Sequence, residues 1–183
     1  MDDPIQRHPT RAEQLDIITS VIAETTQPGD AVLDIGCGTG YFEHLLAERR
    51  DDLAVTGVDM NEASLAAAAE RFDGRGDYQW VKGDLRAPGE ISLPRADYRV
   101  AVTCLTFHDL ADVEKQAVMS WITGHLARDG MFVLMDRIRL TEPVLFGSQI
   151  ALWNRLERVH GFTMRAADSF EAYEADMASN NRP

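Results

Sequence analysis

Val32-Leu33-Asp34-Ile35-Gly36-Cys37-Gly38-Thr39-Gly40 is the stretch that decides how this chain folds. Ala31 to Ile35 follows the turn Pro28-Gly29-Asp30 and reads as a short buried strand. Glycines then recur at every second position, and Tyr41 to Arg50 reads as a helix. Strand, glycine turn and helix in that order open many nucleotide-binding α/β sheets, because glycines let a backbone come close to a ligand. The dinucleotide fingerprint G-x-G-x-x-G is absent, since Tyr stands at position 41 where its last glycine belongs. Asp34 stands two residues before the first glycine. A carboxylate there suits a ligand with a cationic group better than one with a pyrophosphate.

Working outward, apolar runs alternate with helical stretches, which predicts an α/β fold with a mainly parallel, doubly wound sheet of Rossmann type. A first helix is expected from about Arg11 to Thr26, with Leu15, Ile18, Val21 and Ile22 on one face. Strands are expected at Leu53–Asp59, Tyr78–Lys82, Tyr98–Thr106 and Met131–Met135. Helices are expected at Glu62–Phe72, with Asn61 as N-cap, at Val113–Ala127 stopped by Asp129-Gly130, at Pro143 to about His160, and at Ser169–Ala178. Right-handed crossovers place helices on both faces of such a sheet. With 183 residues and no linker, residues 1–183 read as a single domain.

Three acids fall at the carboxyl ends of successive strands, the edge where open α/β sheets bind ligands. Asp34 is the first. Asp59 ends the second strand, and its two acceptor oxygens match the two hydroxyl donors of a ribose. Its plainer reading is an acid at a helix N-terminus. Asp84 follows the third strand and is placed to accept from an exocyclic adenine amine beside Leu85. Alone it would be a turn residue. Asp136 takes the same place after the fifth strand.

In this order the segments resemble the class I S-adenosylmethionine-dependent methyltransferases. VLDIGCGTGYF resembles that family's glycine motif, GVDMNEASLAAAAERF its ribose motif, VKGDL its adenine motif, YRVAVTCLTFHDL its fourth strand and LARDGMFVLMD its fifth. The likeness covers about Arg11 to Asp136. More loosely, ALWNRLERVHGFTMRAADSFEAYEADM is similar to carboxy-S-adenosylmethionine synthases and their small-molecule methyltransferase relatives. The resemblance implies S-adenosyl-L-methionine as cofactor and S-adenosyl-L-homocysteine as product. It implies that Gly36, Cys37, Gly38 and Gly40 line the methionine part, with Asp34 helping to hold the amino group. Asp59 then takes the ribose, Met60 stacks on the adenine with Leu85 opposite, and Asp84 and Leu85 read its edge. Cys104, Leu105 and Thr106 flank the sulfonium. Arg11 pairs with the ligand carboxylate and His8 closes over the site. The family's sheet ends in an antiparallel hairpin for which this chain has no sequence. The fifth strand is therefore expected at an exposed edge, covered by dimerisation or by the C-terminal helices, or left open by truncation. Phe170, Tyr173 and Met177 form an apolar stripe that reads either as an interface, most simply of a homodimer, or as a packed helix.

His108, after the fourth strand, is the candidate general base, since an unperturbed imidazole titrates near neutrality. Its plainer role is to cap the next helix. Asp109 and Asp136 make a thin case for a divalent metal, and no metal is expected. Phe107, Phe146 and Trp153 read either as pocket lining or as core. Composition narrows the partners. The formal charge is -12, from 30 Asp+Glu against 18 Lys+Arg, which opposes unspecific binding to nucleic acid or anionic membrane. The expected substrate is a small molecule, with neither nucleic acid nor membrane as partner. Two cysteines, both expected to be buried, form no disulfide framework, and no signal peptide or membrane span is evident. A cytoplasmic location follows. The alternatives are a use of the same cofactor without methyl transfer, by cyclisation or carboxy-S-adenosylmethionine chemistry, and a catalytically silent cofactor-binding subunit.

Overall fold

A computed structural model of the chain describes residues 9–161, 163 and 165–179. His8 lies outside them. The chain divides into two compact units, residues 1–136 and residues 137–183.

The first unit holds a five-stranded parallel sheet in the order β3-β2-β1-β4-β5. Its strands are β1 (Ala31–Ile35), β2 (Ala54–Asp59), β3 (Asp77–Lys82), β4 (Tyr98–Cys104) and β5 (Leu126–Met135). Between them run α1 (Pro9–Thr25), α2 (Tyr41–Ala47), α3 (Glu62–Arg71) and α4 (Asp112–His125). β1 is buried along its whole length, as expected for a strand covered on both faces. Its alternating side chains feed two cores. Leu33 and Ile35 join Val58, Ala101, Val118 and Ile122. Val32 joins Leu15, Ile18 and Ile22 of α1, Phe42 and Leu46 of α2, and Val100 and Val102 of β4. Asp34 alternates with Leu33 and Ile35, so it belongs to the same face of the strand as Val32. The chain moves outward from β1 to β2 and β3, then returns to the other side of β1 as β4. That reversal opens a crevice at the carboxyl ends of β1 and β4.

Several expected boundaries shift. Val21 is exposed, so the apolar part of the inward face of α1 is Leu15, Ile18 and Ile22, with Thr19 buried beside them. Asn61 caps α3, its side chain accepting from the amides of Ala63 and Ser64 at 2.9 and 3.2 Å. β4 ends at Cys104, and a single 3-10 turn, Phe107–Asp109, follows. Asp129-Gly130 does not stop α4, which ends at His125. The register jumps from Tyr98↔Leu126 to Val100↔Met131, so residues 127–130 form a bulge in β5. A Cβ on Gly130 would stand 2.8 Å from the Tyr98 carbonyl oxygen, which explains the glycine.

The second unit holds α5 (Phe146–His160), preceded by a 3-10 turn at Pro143–Leu145, and α6 (Phe170–Ser179). Phe146, Trp153, Ala167 and Tyr173 form its core, with Phe170 and Met177 packed on it. The Tyr173 hydroxyl accepts from the Leu140 amide at 3.0 Å. The stripe on α6 is thus internal packing of this unit, and Phe146 and Trp153 are core residues. Phe107 is likewise core in the first unit, with its ring centroid 5.9 Å from that of Phe132. Among the described residues, no helix is long and apolar enough to cross a membrane.

Candidate functional site

The glycine loop joins β1 to α2, with φ of 81° at Gly36, 54° at Gly38 and 73° at Gly40. Its amides point inward. Gly36 and Cys37 both donate to the Val58 carbonyl, at 2.7 and 3.0 Å, and Gly40 donates to the Cys37 carbonyl at 3.1 Å. Gly38 donates to Oδ2 of Asp59 at 2.9 Å. A phosphate cradle needs such N–H groups aimed at the ligand. Here four of them are engaged by the protein itself, while carboxylates gather around the loop. Such a site favours a cationic ligand. Nothing stands within 4 Å of a Cβ built on Gly38, so the loop is open there.

Gly36 lies close under the end of β4. A Cβ there would meet Thr106 Oγ1 at 2.2 Å and its Cγ2 at 2.7 Å. Gly36→Ala combines that overlap with a left-handed backbone and is expected to cost about 2–4 kcal/mol of stability. Adding Thr106→Ala should restore part of the loss. Denaturant midpoints of the single and double variants check this. A fully stable single variant would contradict the close approach.

Asp34 and Glu43 form the buried centre. Asp34 is on β1 and Glu43 on α2, and neither side chain has meaningful exposure. Asp34 Oδ1 and both Glu43 carboxyl oxygens find no hydrogen-bond partner among the described residues. The two buried carboxyls are close enough to act on each other's titration. Burial pushes the Asp34 carboxyl up to about 7, with the neighbouring Glu43 carboxyl opposing the rise and the charge of Asp59 adding to it. Burial, then the negative charge of Asp34, hold Glu43 well above the ordinary carboxylate range. The native pair therefore binds more protons than the unfolded chain from the ordinary carboxylate range to about pH 7. Stability should fall across that window as pH rises, and go on falling above it while Glu43 keeps its proton. Urea denaturation between pH 4.5 and 8.5 is expected to show this fall, reduced in Glu43→Gln. An identical pH dependence in the two proteins would contradict the raised Glu43 carboxyl.

Around the pair stand two thiols. Burial first, then the charges of Glu43, Asp34 and Asp59, push the Cys37 thiol far up. Burial, then Asp34, Glu43 and Asp136, do the same to Cys104. Both stay protonated and are poor nucleophiles. Both are free cysteines, and Cys104 is half-buried rather than buried as expected. Next to it, Leu105 has φ of 60°, a rare left-handed conformation for a branched side chain, held by its amide bond to the Met135 carbonyl at 2.8 Å.

Asp59 accepts the Gly38 amide on Oδ2 and the Asn61 amide, at 2.8 Å, on Oδ1. Each oxygen keeps further acceptor capacity. Met60, beside it, is exposed. Asp84 is engaged by Arg86, whose guanidinium donates to both of its oxygens at 2.6–3.0 Å. The bond to that guanidinium holds Asp84 below the usual carboxylate range. Leu85 buries its side chain in the core cluster with Ile91, so it is not the face of a purine sandwich. Arg11 stands in the first turn of α1.

At the ends of β4 and β5 the structure joins two residues that the sequence separates by 28 positions. His108 Nδ1 lies 2.6 Å from Asp136 Oδ1, and the His108 amide donates to Asp136 Oδ2 at 3.0 Å. Both side chains are at least nine-tenths buried. This double clasp makes Nδ1–H the donor and leaves Nε2 as the basic nitrogen. Asp109 Oδ1 is 3.5 Å from Nε2. Among the described residues, no group of three or more His, Cys, Asp or Glu side chains is arranged to hold a metal ion. Glu43 and the pairing of His108 with Asp136 were not apparent from the sequence.

Known proteins share this architecture. The family model described as methyltransferase domain matches residues 33–132. Carboxy-S-adenosyl-L-methionine synthase of Campylobacter lari is 26% identical over 178 residues, covering 94% of this chain and 73% of that protein. The enzyme of the same name from Campylobacter hominis is 20% identical over 163 residues, covering 88% and 68%. Among solved structures, S-adenosylmethionine-bound CalS10, an amino pentose methyltransferase from Micromonospora echinaspora, superposes with a TM-score of 0.58 at 24% identity. That match covers 72% of this chain and 54% of CalS10, so this chain spans about half of that protein. The Bacillus subtilis protein YcgJ matches over 92% of this chain and 68% of its own, with a TM-score of 0.59 at 22% identity. The two structural matches speak for the fold.

Proposed function

The chain belongs to the methyltransferase-domain family, and we propose that it is an enzyme that transfers a methyl group from S-adenosyl-L-methionine to an O, N or C nucleophile of a small molecule. The observation that carries this reading is the carboxyl edge of the sheet. There a glycine loop with inward-turned amides meets Asp34, Glu43 and Asp59, a donor-poor and acceptor-rich setting that fits a cationic nucleoside. In this reading residues 1–183 act as one functional domain.

When bound, the cofactor supplies a methyl group already activated on a sulfonium. The chain's own residues then bind and align. Gly36, Cys37, Gly38 and Gly40 line the methionine part, with Asp34 beneath them. Asp59 accepts from the ribose hydroxyls with the capacity its two amide bonds leave. Met60 covers the adenine. Asp84 takes the adenine amine in exchange for, or alongside, Arg86, at small cost because exposed ion pairs contribute little. The Leu85 backbone reads the same edge. Cys104, Leu105 and Thr106 flank the sulfonium, and Arg11 pairs with the ligand carboxylate. His108 Nε2 takes the proton of the acceptor, while Asp136 holds the imidazole in the tautomer that leaves Nε2 free to do so. Much of the rate then comes from alignment of nucleophile, methyl carbon and leaving sulfur.

Two finer points belong to the same proposal. β5 lies at the edge of the sheet with Leu134 half-exposed, and that open edge supports a homodimer in which a second copy of the chain covers it. Free Cys37 and Cys104 support a cytoplasmic location. Carboxy-S-adenosylmethionine chemistry is the second reading, favoured by the names of the curated relatives.

Product analysis tests the choice. The protein is incubated with methyl-labelled S-adenosyl-L-methionine and a small-molecule extract. Transfer predicts label in a low-mass product and an equal amount of S-adenosyl-L-homocysteine. Methylthioadenosine would instead indicate cyclisation, and a carboxylated cofactor the second reading. No product at all would contradict enzymatic activity with these probes.

A further inference from the structure

We propose that two copies of this chain pair through β5, antiparallel and in the register that sets Val133 on the two-fold axis, so that their sheets join as one. The inference rests on the homodimer reading above and adds to it the direction and the register of the pairing.

Residues 128–137 read Arg-Asp-Gly-Met-Phe-Val-Leu-Met-Asp-Arg. The run mirrors itself, with five apolar residues between Arg128-Asp129 on one side and Asp136-Arg137 on the other. Each end carries one cation and one anion, in a chain whose formal charge is -12. Among the described residues β5 pairs with β4 alone, so its outer side is an open edge. An apolar edge strand with no charge inside it is a template for pairing with another chain. The bulge at residues 127–130 confines the regular edge to Met131–Met135. The direction of the backbone along that edge is fixed by β4. The Met135 carbonyl accepts the Leu105 amide at 2.8 Å, so Met135 turns its backbone toward β4. Backbone groups alternate along a strand. Met131 and Val133 therefore turn the same way, and Phe132 and Leu134 present their N–H and C=O groups outward.

A second copy docks only where outward groups meet outward groups. With Val133 on the axis, Phe132 stands opposite the partner's Leu134, and the two residues exchange both of their N–H···O=C bonds. The two-fold repeats that pair. Residues paired across strands share a face of the sheet, so the half-exposed Leu134 comes to lie against the partner's Phe132. Met131 meets the partner's Met135 on the other face. Two residues past β5, Arg137 faces the partner's Asp129, and both of these side chains are exposed. Moving the axis to Phe132 also matches outward groups, but it sets Asp129 against the partner's Met135. Moving it to Leu134 sets Met131 against the partner's Arg137. Val133 is thus the centre at which apolar residues meet apolar residues and opposite charges meet each other. The pairing is isologous, so it closes on itself and leaves β5 no free side.

The test is sedimentation equilibrium of the full chain and its variants, with oxidative cross-linking of cysteine variants beside it. The expected result is a dimer whose dissociation constant rises roughly ten-fold in Asp129→Arg or Arg137→Asp, where like charges meet twice, and returns toward the wild-type value when the two substitutions are combined. Both positions are exposed, so these variants keep the fold. Val133→Cys places one thiol from each copy at a pair whose Cα atoms lie about 4.5 Å apart, close enough for a disulfide. Mild oxidation should join it into a covalent dimer. Leu134→Cys puts its two thiols on a diagonal and should stay unjoined, with wild type giving the background of Cys37 and Cys104. A dimer that ignores the charge swaps, or that joins through Leu134→Cys instead of Val133→Cys, would overturn this register and leave the homodimer reading standing. A wild-type chain that stays monomeric throughout would overturn both.

Discussion

Asp59→Ala is expected to weaken S-adenosyl-L-methionine binding by about 2–4 kcal/mol, or roughly 30- to 1,000-fold. The size follows from what the carboxylate does. It is proposed to receive the ribose hydroxyls, and it already holds two backbone amides, Gly38 on one oxygen and Asn61 on the other. Removing it takes away the ligand's charged acceptor and loosens the glycine loop together with the entry to α3. Asp59→Asn keeps one acceptor oxygen but turns an NH2 toward an N–H group, and should fall between wild type and alanine. Calorimetry gives the affinities, and thermal unfolding shows that the variants fold. Unchanged affinity in a folded Asp59→Ala would remove the ribose assignment.

The second large effect concerns turnover. His108→Ala should lower kcat by about 10²- to 10⁴-fold, the usual contribution of a general base, while cofactor affinity stays nearly constant. Asp136→Asn tests the clasp separately. The amide accepts the His108 backbone N–H or the Nδ1–H through its single oxygen, but not both, and so leaves the imidazole free to reorient. It should reduce kcat with little change in KM and alter the pH profile of turnover, which a packing role alone does not do. Production of S-adenosyl-L-homocysteine with an identified acceptor provides the assay. Full turnover by His108→Ala would reduce His108 to a structural residue of the turn before α4.

The sheet was readable because its strands are short apolar runs set apart by glycine, proline and acidic turns, and because Asn61 is a strong cap. The acids at strand ends were readable for the same reason, since a strand's end fixes the edge on which its next residue stands. The bulge in β5 was not, because Ala127–Gly130 carries the composition of a helix stop. It becomes a bulge only when Tyr98 and Gly130 meet across the sheet. Glu43 was hidden by its type. Charged residues in a short helix are ordinarily solvated, and only the fold brings this one onto Asp34. His108 and Asp136 were each placed correctly, but their contact depends on β4 and β5 being neighbours. Arg86 stands two residues from Asp84, and its grip on that carboxylate depends on the turn that folds the side chain back.

The most direct measurement is calorimetric titration of the purified chain with S-adenosyl-L-methionine beside NAD. A loop with inward amides and a ring of carboxyls predicts micromolar binding of the sulfonium nucleoside and no detectable binding of the dinucleotide. Binding of NAD by folded protein, with no heat from S-adenosyl-L-methionine, would contradict the account.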